Sequence, residues 1–188
     1  LVSTASQLEA FTKTLAENRI AVYVTDPTTL SDLPNSLDRL GALFGTGKTA
    51  ESIVAKLRER VGAVQFKVSD LPKVKAFIQI SKEPLFTIGK SAFLNDVLVK
   101  AGGESVTADV ETGFPKLSKE TAATLNPEVI ILSDSEDNQE PNEAFKNSPA
   151  VKNGRVYKIN ADILSRPGPR LVDALEQIAK DLHPEKFK

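Results

Sequence analysis

The run Gly45-Thr46-Gly47-Lys48-Thr49 comes nearest to a nucleotide site, because a glycine-rich loop that ends in Gly-Lys-Thr and enters a helix can cradle phosphates on its backbone N–H groups. That motif needs a glycine at position 42, which is Ala42, and Gly41 falls one residue too early. A strand should also lead into the loop, whereas Leu37, Leu40, Leu43 and Phe44 keep helical spacing. The run is therefore expected to be a helix stop followed by a helix start.

His183 is the only histidine and there is no cysteine, which excludes disulfides, thiolate catalysis and Cys-based zinc or iron–sulfur sites. One histidine cannot assemble a first-row metal site by itself, and its place after Leu182 suits a helix C-terminus, where the dipole favours it. The acidic stretch 134–140 has carboxylates for a calcium loop but lacks the glycine of the sharp turn, so it reads as a solvated charged loop. An enzyme on this chain would have to work with carboxylates, Ser, Thr, Tyr and Lys.

Two loops are oriented by proline and glycine. Gly113-Phe114-Pro115 holds an aromatic ring in a stiff segment just before a helix opened by Ser118. That ring can face a ligand or act as a hydrophobic staple for the helix. Asp162 and the run Arg166-Pro167-Gly168-Pro169-Arg170 lie between a strand and the last helix. Loops at the C-terminal ends of parallel strands are where open α/β sheets bind ligands.

The elements that must position these loops follow from hydrophobic period. Ser6 and Glu9 form a capping box for a helix with Leu8, Phe11 and Leu15 on one face, and residues 20–24 read as a short buried strand. A second helix ends at Gly45, and a long one runs over 49–70 with Ile53, Val54, Leu57, Val61, Val64 and Val68 at helical spacing. At 1.5 Å per residue it would span roughly 30 Å, enough to lie between two lobes. Beyond Pro72 strands at 74–80, 105–107, 129–133 and 155–159 alternate with helices at 93–101, 118–125, near 143–146, and 169–182. That alternation predicts an α/β fold with a mostly parallel sheet covered on both faces.

With 24 Lys+Arg against 25 Asp+Glu and a net charge of −1, the chain lacks the basic excess that nucleic-acid binding draws on. Apolar runs such as Val129-Ile130-Ile131-Leu132 are far too short to span a bilayer, so the chain is not expected to be membrane-embedded.

The tract from Val22-Tyr23-Val24-Thr25-Asp26-Pro27, through the long helix, to Leu85-Phe86-Thr87-Ile88-Gly89-Lys90, Leu98-Val99-Lys100-Ala101-Gly102-Gly103-Glu104, Asn126-Pro127-Glu128-Val129 and Arg166-Pro167-Gly168-Pro169-Arg170 resembles a known family. It is similar to the ABC-importer substrate-binding proteins of the cobalamin, ferric-siderophore and haem class. The order and spacing of the motifs carry the resemblance over essentially the whole chain.

The resemblance implies an α/β fold of two lobes joined by a single long interlobe helix. Residues 1–47 would be the remnant of the N-terminal lobe and the following helix, 48–71 the interlobe helix, and 72–188 the C-terminal lobe. The N-terminal lobe is expected to be incomplete, because Leu1-Val2 looks like the tail of one of its strands. The implied function is capture of cobalamin or a related metal chelate, with ferric siderophore or haem as alternatives, for delivery to an ABC transporter permease, with no catalysis and no cofactor. An α/β enzyme acting on a small substrate is the rival reading. The implied location is the periplasmic or extracellular face, with a lipid anchor through a missing N-terminus as one option. By matching position, Ile80, Phe114, Asp162 and Arg166 would contact ligand, and Glu120 would dock onto permease arginines. Glu120 also lies in a first helical turn, where the dipole alone favours a carboxylate. Cobalamin-binding relatives often carry Trp at the Phe114 position, and this chain has no Trp, which bears on the chelate.

Overall fold

The computed structural model describes residues 12–187. Of the first expected helix, Thr12–Glu17 (α1) is present, while the Ser6/Glu9 box, Leu8 and Phe11 lie outside the described residues. Residues 20–24 do not form the expected strand. They carry no regular structure beyond a bridge residue at Val24, and Ile20, Val22 and Val24 remain 54%, 38% and 38% exposed. Alternating apolar residues fit a pleated surface, but a strand exists only where partners take up its N–H and C=O groups.

A 3-10 turn, Leu30–Asp32, precedes α2 (Leu33–Leu43). It is wound around the Asp32 carboxylate, which accepts hydrogen bonds from the N–H groups of Thr28 (3.1 Å) and Thr29 (2.8 Å) and from the Thr28 hydroxyl (3.0 Å). These bonds hold the Asp32 carboxyl below its usual range, the Thr29 bond being the largest cause. Gly45, at φ 66°, ends the α2 turn, and α3 (Gly47–Val68) starts two residues later. A helix, not a strand, leads into the glycine run, so the nucleotide-loop geometry is absent there.

At 22 residues α3 is about 33 Å long, burying Ala50, Val54, Leu57, Val64 and Val68. It packs against α2 and against the last helix, α8 (Leu171–Leu182). Arg60 ties it to α8: its Nε and Nη2 donate to Glu176 at 2.8 and 2.7 Å, and Nη2 also reaches Asp173 at 2.6 Å.

The sheet has five strands: β1 (Val74–Ser81), β2 (Phe86–Thr87), β3 (Gly103–Ser105), β4 (Val129–Asp134) and β5 (Val156–Asn160). The order runs β2-β1-β4-β5, with β3 also on β1; β1, β3, β4 and β5 are parallel, and β2 is antiparallel. β3 ends earlier than expected because the Ser105 hydroxyl accepts the Thr107 N–H (3.2 Å) and turns the chain. Two residues are too few to show a period, which is why β2 leaves no sequence signal.

Ala76 to Ile78 and Val129 to Leu132 are wholly buried, as continuous apolar strands covered on both faces should be. One face packs Ile78, Val129, Ile131 and Ile159 against α3, α8 and α4 (Phe93–Lys100). The other packs Phe77, Ile130 and Leu132 with Phe145, Ala150 and Ala122, the last on α5 (Lys119–Thr124), and the Phe77 and Phe145 ring centroids are 4.4 Å apart. Two short helices escaped the sequence reading: α6 (Pro149–Lys152), capped by Ser148, and α7 (Ala161–Leu164), capped by Asn160.

The acidic loop after β4 is solvated at its charges but anchored by buried amides. Asn138 Nδ2 donates to the carbonyls of Gln79 (3.0 Å) and Ser133 (2.8 Å), Gln79 Nε2 donates to Asn138 Oδ1 (2.6 Å), and the Asn142 N–H donates to Gln79 Oε1 (2.8 Å). His183 sits at the C-cap of α8 as expected, but buried, with Nε2 3.2 Å from the Gly102 carbonyl oxygen.

Candidate ligand cleft

A cleft of about 730 Å³ opens between residues 25–40 and the sheet-bearing part of the chain, a volume within the range of small-molecule sites. One wall is the turn from Thr25 to Thr28 with Leu33, Leu37 and Leu40 of α2. The other is Ser91 to Phe93 at the start of α4, Phe114, and residues 165–169 after α7. Its surface is mostly apolar, with the hydroxyls of Thr25, Thr28, Ser36, Ser91 and Ser165 and two charged side chains, Asp26 and Arg166. Two other hollows, of about 540 and 440 Å³, are surface grooves along α3 that carry Arg58, Gln65 and Lys100, and Arg60, Lys67 and Glu176.

Phe114 is 48% exposed and meets Phe93 edge to face, with centroids 6.4 Å apart. The staple for α5 is another residue: Leu117, directly before the Ser118 N-cap, packs in the same cluster as Ala122. Phe114 is thus free of that duty and turned to the cleft. Arg166 also lines the cleft, exposed, with Nη2 3.7 Å from Asp162 Oδ1, too long for a strong pair. Asp162 is in the first turn of α7, its N–H donating to Asn160 Oδ1 (2.8 Å), and it stands beside Arg166 without lining the cleft itself. Ile80 does not line the cleft; it is partly buried on β1 and packs against the core on the α3 and α8 side. The structure therefore brings Phe114, Arg166 and Asp162 to one end of the molecule and leaves Ile80 in packing.

Glu120 lies apart from the cleft, exposed in the first turn of α5. Hydrogen bonding from its own backbone N–H, then from the Ser118 hydroxyl, holds its carboxyl below the usual range. Phe93, Pro27, Leu37 and Leu40 were not singled out as ligand-facing from sequence. In a linear pattern an apolar residue facing a cleft looks the same as one facing a core, and only the Pro-flanked Phe114 and Arg166 carried a distinguishing signal. Among the described residues, no group of three or more His, Cys, Asp or Glu side chains could hold a metal ion, and no helix is long and apolar enough to cross a membrane.

Residues 1–163 match the periplasmic binding protein family, and the chain belongs to it. It is 29% identical over 171 residues to an uncharacterized ABC transporter substrate-binding lipoprotein, YvrC, of Bacillus subtilis, a match covering 88% of this chain and 54% of that protein. It is 28% identical over 171 residues to the vitamin B12-binding protein of Vibrio parahaemolyticus, covering 90% of this chain and 62% of that protein. In fold it matches a crystal structure of a "possible" iron-binding (periplasmic solute-binding) protein from Staphylococcus epidermidis with a TM-score of 0.79 at 26% identity, over 96% of this chain and 74% of that one. The chain thus spans little more than half the length of the two curated relatives. The α/β class and the long helix expected from the sequence are what the fold shows.

Proposed function

We propose that this chain carries the ligand cleft of an ABC-importer substrate-binding protein, taking cobalamin or a related metal chelate, haem or a ferric siderophore, on the extracellular face of the membrane and passing it to a permease. The observation that carries this reading is the cleft itself: mostly apolar walls, an aromatic pair at the rim, and a single Arg and Asp as charged anchors. Such a surface suits a large, partly apolar macrocycle or chelate whose metal arrives already coordinated. The names of the relatives support the same class. Phe114 and Arg166 are the direct contacts in this proposal; Asp162 lies beside Arg166 at the edge of the cleft, and Ile80 packs at the end of β1. Residues 1–47, 48–71 and 72–188 serve as first-lobe remnant, connecting helix and second lobe, with α3 clamped to the second by Arg60.

Equilibrium dialysis against cyanocobalamin, haemin and a set of ferric siderophores tests the ligand class. Saturable one-to-one binding of one chelate type is expected; absence of binding to all of them, with the protein folded, would contradict it. Glu120 is proposed as the docking residue for permease arginines. Glu120→Arg should leave chelate affinity unchanged and abolish most uptake, because like charges would then face each other. Uptake at the wild-type rate at limiting protein would remove Glu120 from that role.

A further inference from the structure

We propose that Gly89 is a positioning residue for Phe114: with no Cβ, it lets the backbone of residues 110–113 close onto residues 87–90, and this closure presents the Phe114 ring to the cleft. Its meaning for binding rests on the proposed function; the geometry does not.

Residues 85–90 and 110–117 run side by side in a backbone ladder. The Leu117 N–H donates to the Leu85 carbonyl (2.9 Å), Thr87 to Pro115 (3.1 Å), Gly89 to Gly113 (2.8 Å) and Lys90 to Val110 (2.7 Å). Two side chains add ties at one point, Ser91 Oγ to the Glu111 carbonyl and Lys90 Nζ to the Glu111 carboxylate, each at 2.8 Å. Phe114 lies between Gly113 and Pro115, whose carbonyls both accept bonds from the ladder. Its ring, 48% exposed, meets the edge of Phe93, and the backbone tied on either side sets its direction.

The ladder can be this close only because position 89 has no side chain. A Cβ there would stand 2.0 Å from the Thr112 carbonyl oxygen and 2.6 Å from that of Val110, where ordinary contact begins at 3.4 Å. Both atoms belong to backbone, so no change of rotamer can relieve the overlap, and the segment 110–113 would have to move off by about 1 Å or more. The φ of Gly89 lies outside the left-handed region, so what the position requires is missing volume, not unusual backbone freedom. A displaced Gly113 carries its neighbour Phe114 with it.

Labelling with 4-fluorophenylalanine reads the ring directly, with the Phe114 resonance assigned by Phe114→Leu. In Gly89→Ala the Phe114 and Phe93 resonances are expected to shift while those of the core rings Phe77 and Phe145 stay in place. An unmoved Phe114 resonance in folded Gly89→Ala overturns the proposal. If Gly89→Ala does not fold, amide exchange in the wild type tests the same closure: the Gly89 and Lys90 N–H groups, which donate to the Gly113 and Val110 carbonyls, are expected to be protected, and exchange there as fast as in a free loop overturns the proposal. With cyanocobalamin as probe, Gly89→Ala should weaken binding about fivefold to tenfold, and less than about twofold when added to Phe114→Ala, because the two substitutions act through one ring. A penalty that adds fully to that of Phe114→Ala would contradict the assignment. Moved resonances in a protein that binds no chelate would support the positioning role and remove the ligand reading alone.

Discussion

Residues 20–24 and 129–132 carry much the same kind of sequence, Ile-Ala-Val-Tyr-Val against Val-Ile-Ile-Leu, and end in opposite states. The second is the centre of the sheet, with every residue at 0% exposure and hydrogen-bonded strands on either side. The first has one bridge, and three of its apolar side chains are more than a third exposed. β-propensity is a statement about fitting a half-buried surface, so it becomes structure only when a partner strand supplies that surface. The apolar pattern marks which segments could be strands, and the sheet decides which of them are.

The widest gap between the two regions should appear on truncating a side chain in each. Ile131→Ala removes a fully buried side chain at the centre of the sheet and should cost about 2–5 kcal/mol in urea unfolding. Val22→Ala should stay within about 0.5 kcal/mol. Similar costs for the two would break the comparison, as would equal amide-exchange protection over residues 20–24 and 129–132.

A smaller effect is expected from polar groups buried where the sheet ends. Gln79→Leu leaves the Asn142 N–H and Asn138 Oδ1 without their partner and should cost about 2 kcal/mol while loosening the acidic loop. Unchanged proteolysis within residues 134–142 would show that the loop is held by something else.

The smallest is electrostatic. Asp181, half-buried in the last turn of α8 with one carboxylate oxygen unpartnered, has its carboxyl pushed up to about 6 by burial, against an ordinary 3.8. Because the folded state holds this proton more tightly than the unfolded state, the contribution is fully present below about 3.8 and is lost as pH rises through about 6. Asp181→Asn should therefore stabilise the protein at pH 8 by about 1 kcal/mol, discounted for the exposed part of the group, and change little at pH 4. An equal effect at both pH values would contradict the assignment.

Regular periods were legible and short-range polar geometry was not. The six apolar positions of α3, the buried runs of β1 and β4, and the Ser118 cap could be read directly, because each rests on a period or a capping rule. The Gln79–Asn138–Asn142 cluster could not, since its partners are about sixty residues apart. Half of the cleft was legible for a similar reason. Phe114 and Arg166 stand beside prolines in loops, whereas Phe93, Leu37 and Leu40 read as ordinary helix faces and join the cleft only through the packing of α2 against the rest of the fold. Gly89 falls in one of the resembling tracts, but its close approach to other backbone was not legible there, because the carbonyls it faces are more than twenty residues away.

The central claim is that the cleft between residues 25–40 and Phe114 is where the chelate sits. Phe114→Ala, measured by equilibrium dialysis against the chelate that the wild type binds and by thermal unfolding without it, tests this most directly. Loss of an aromatic contact worth about 1.5 kcal/mol predicts roughly a tenfold weaker Kd. Since the ring is about half exposed, Tm should change by no more than about 2 °C. Unchanged Kd together with a clearly lowered Tm would mean that Phe114 is a packing residue and the cleft is not the binding site.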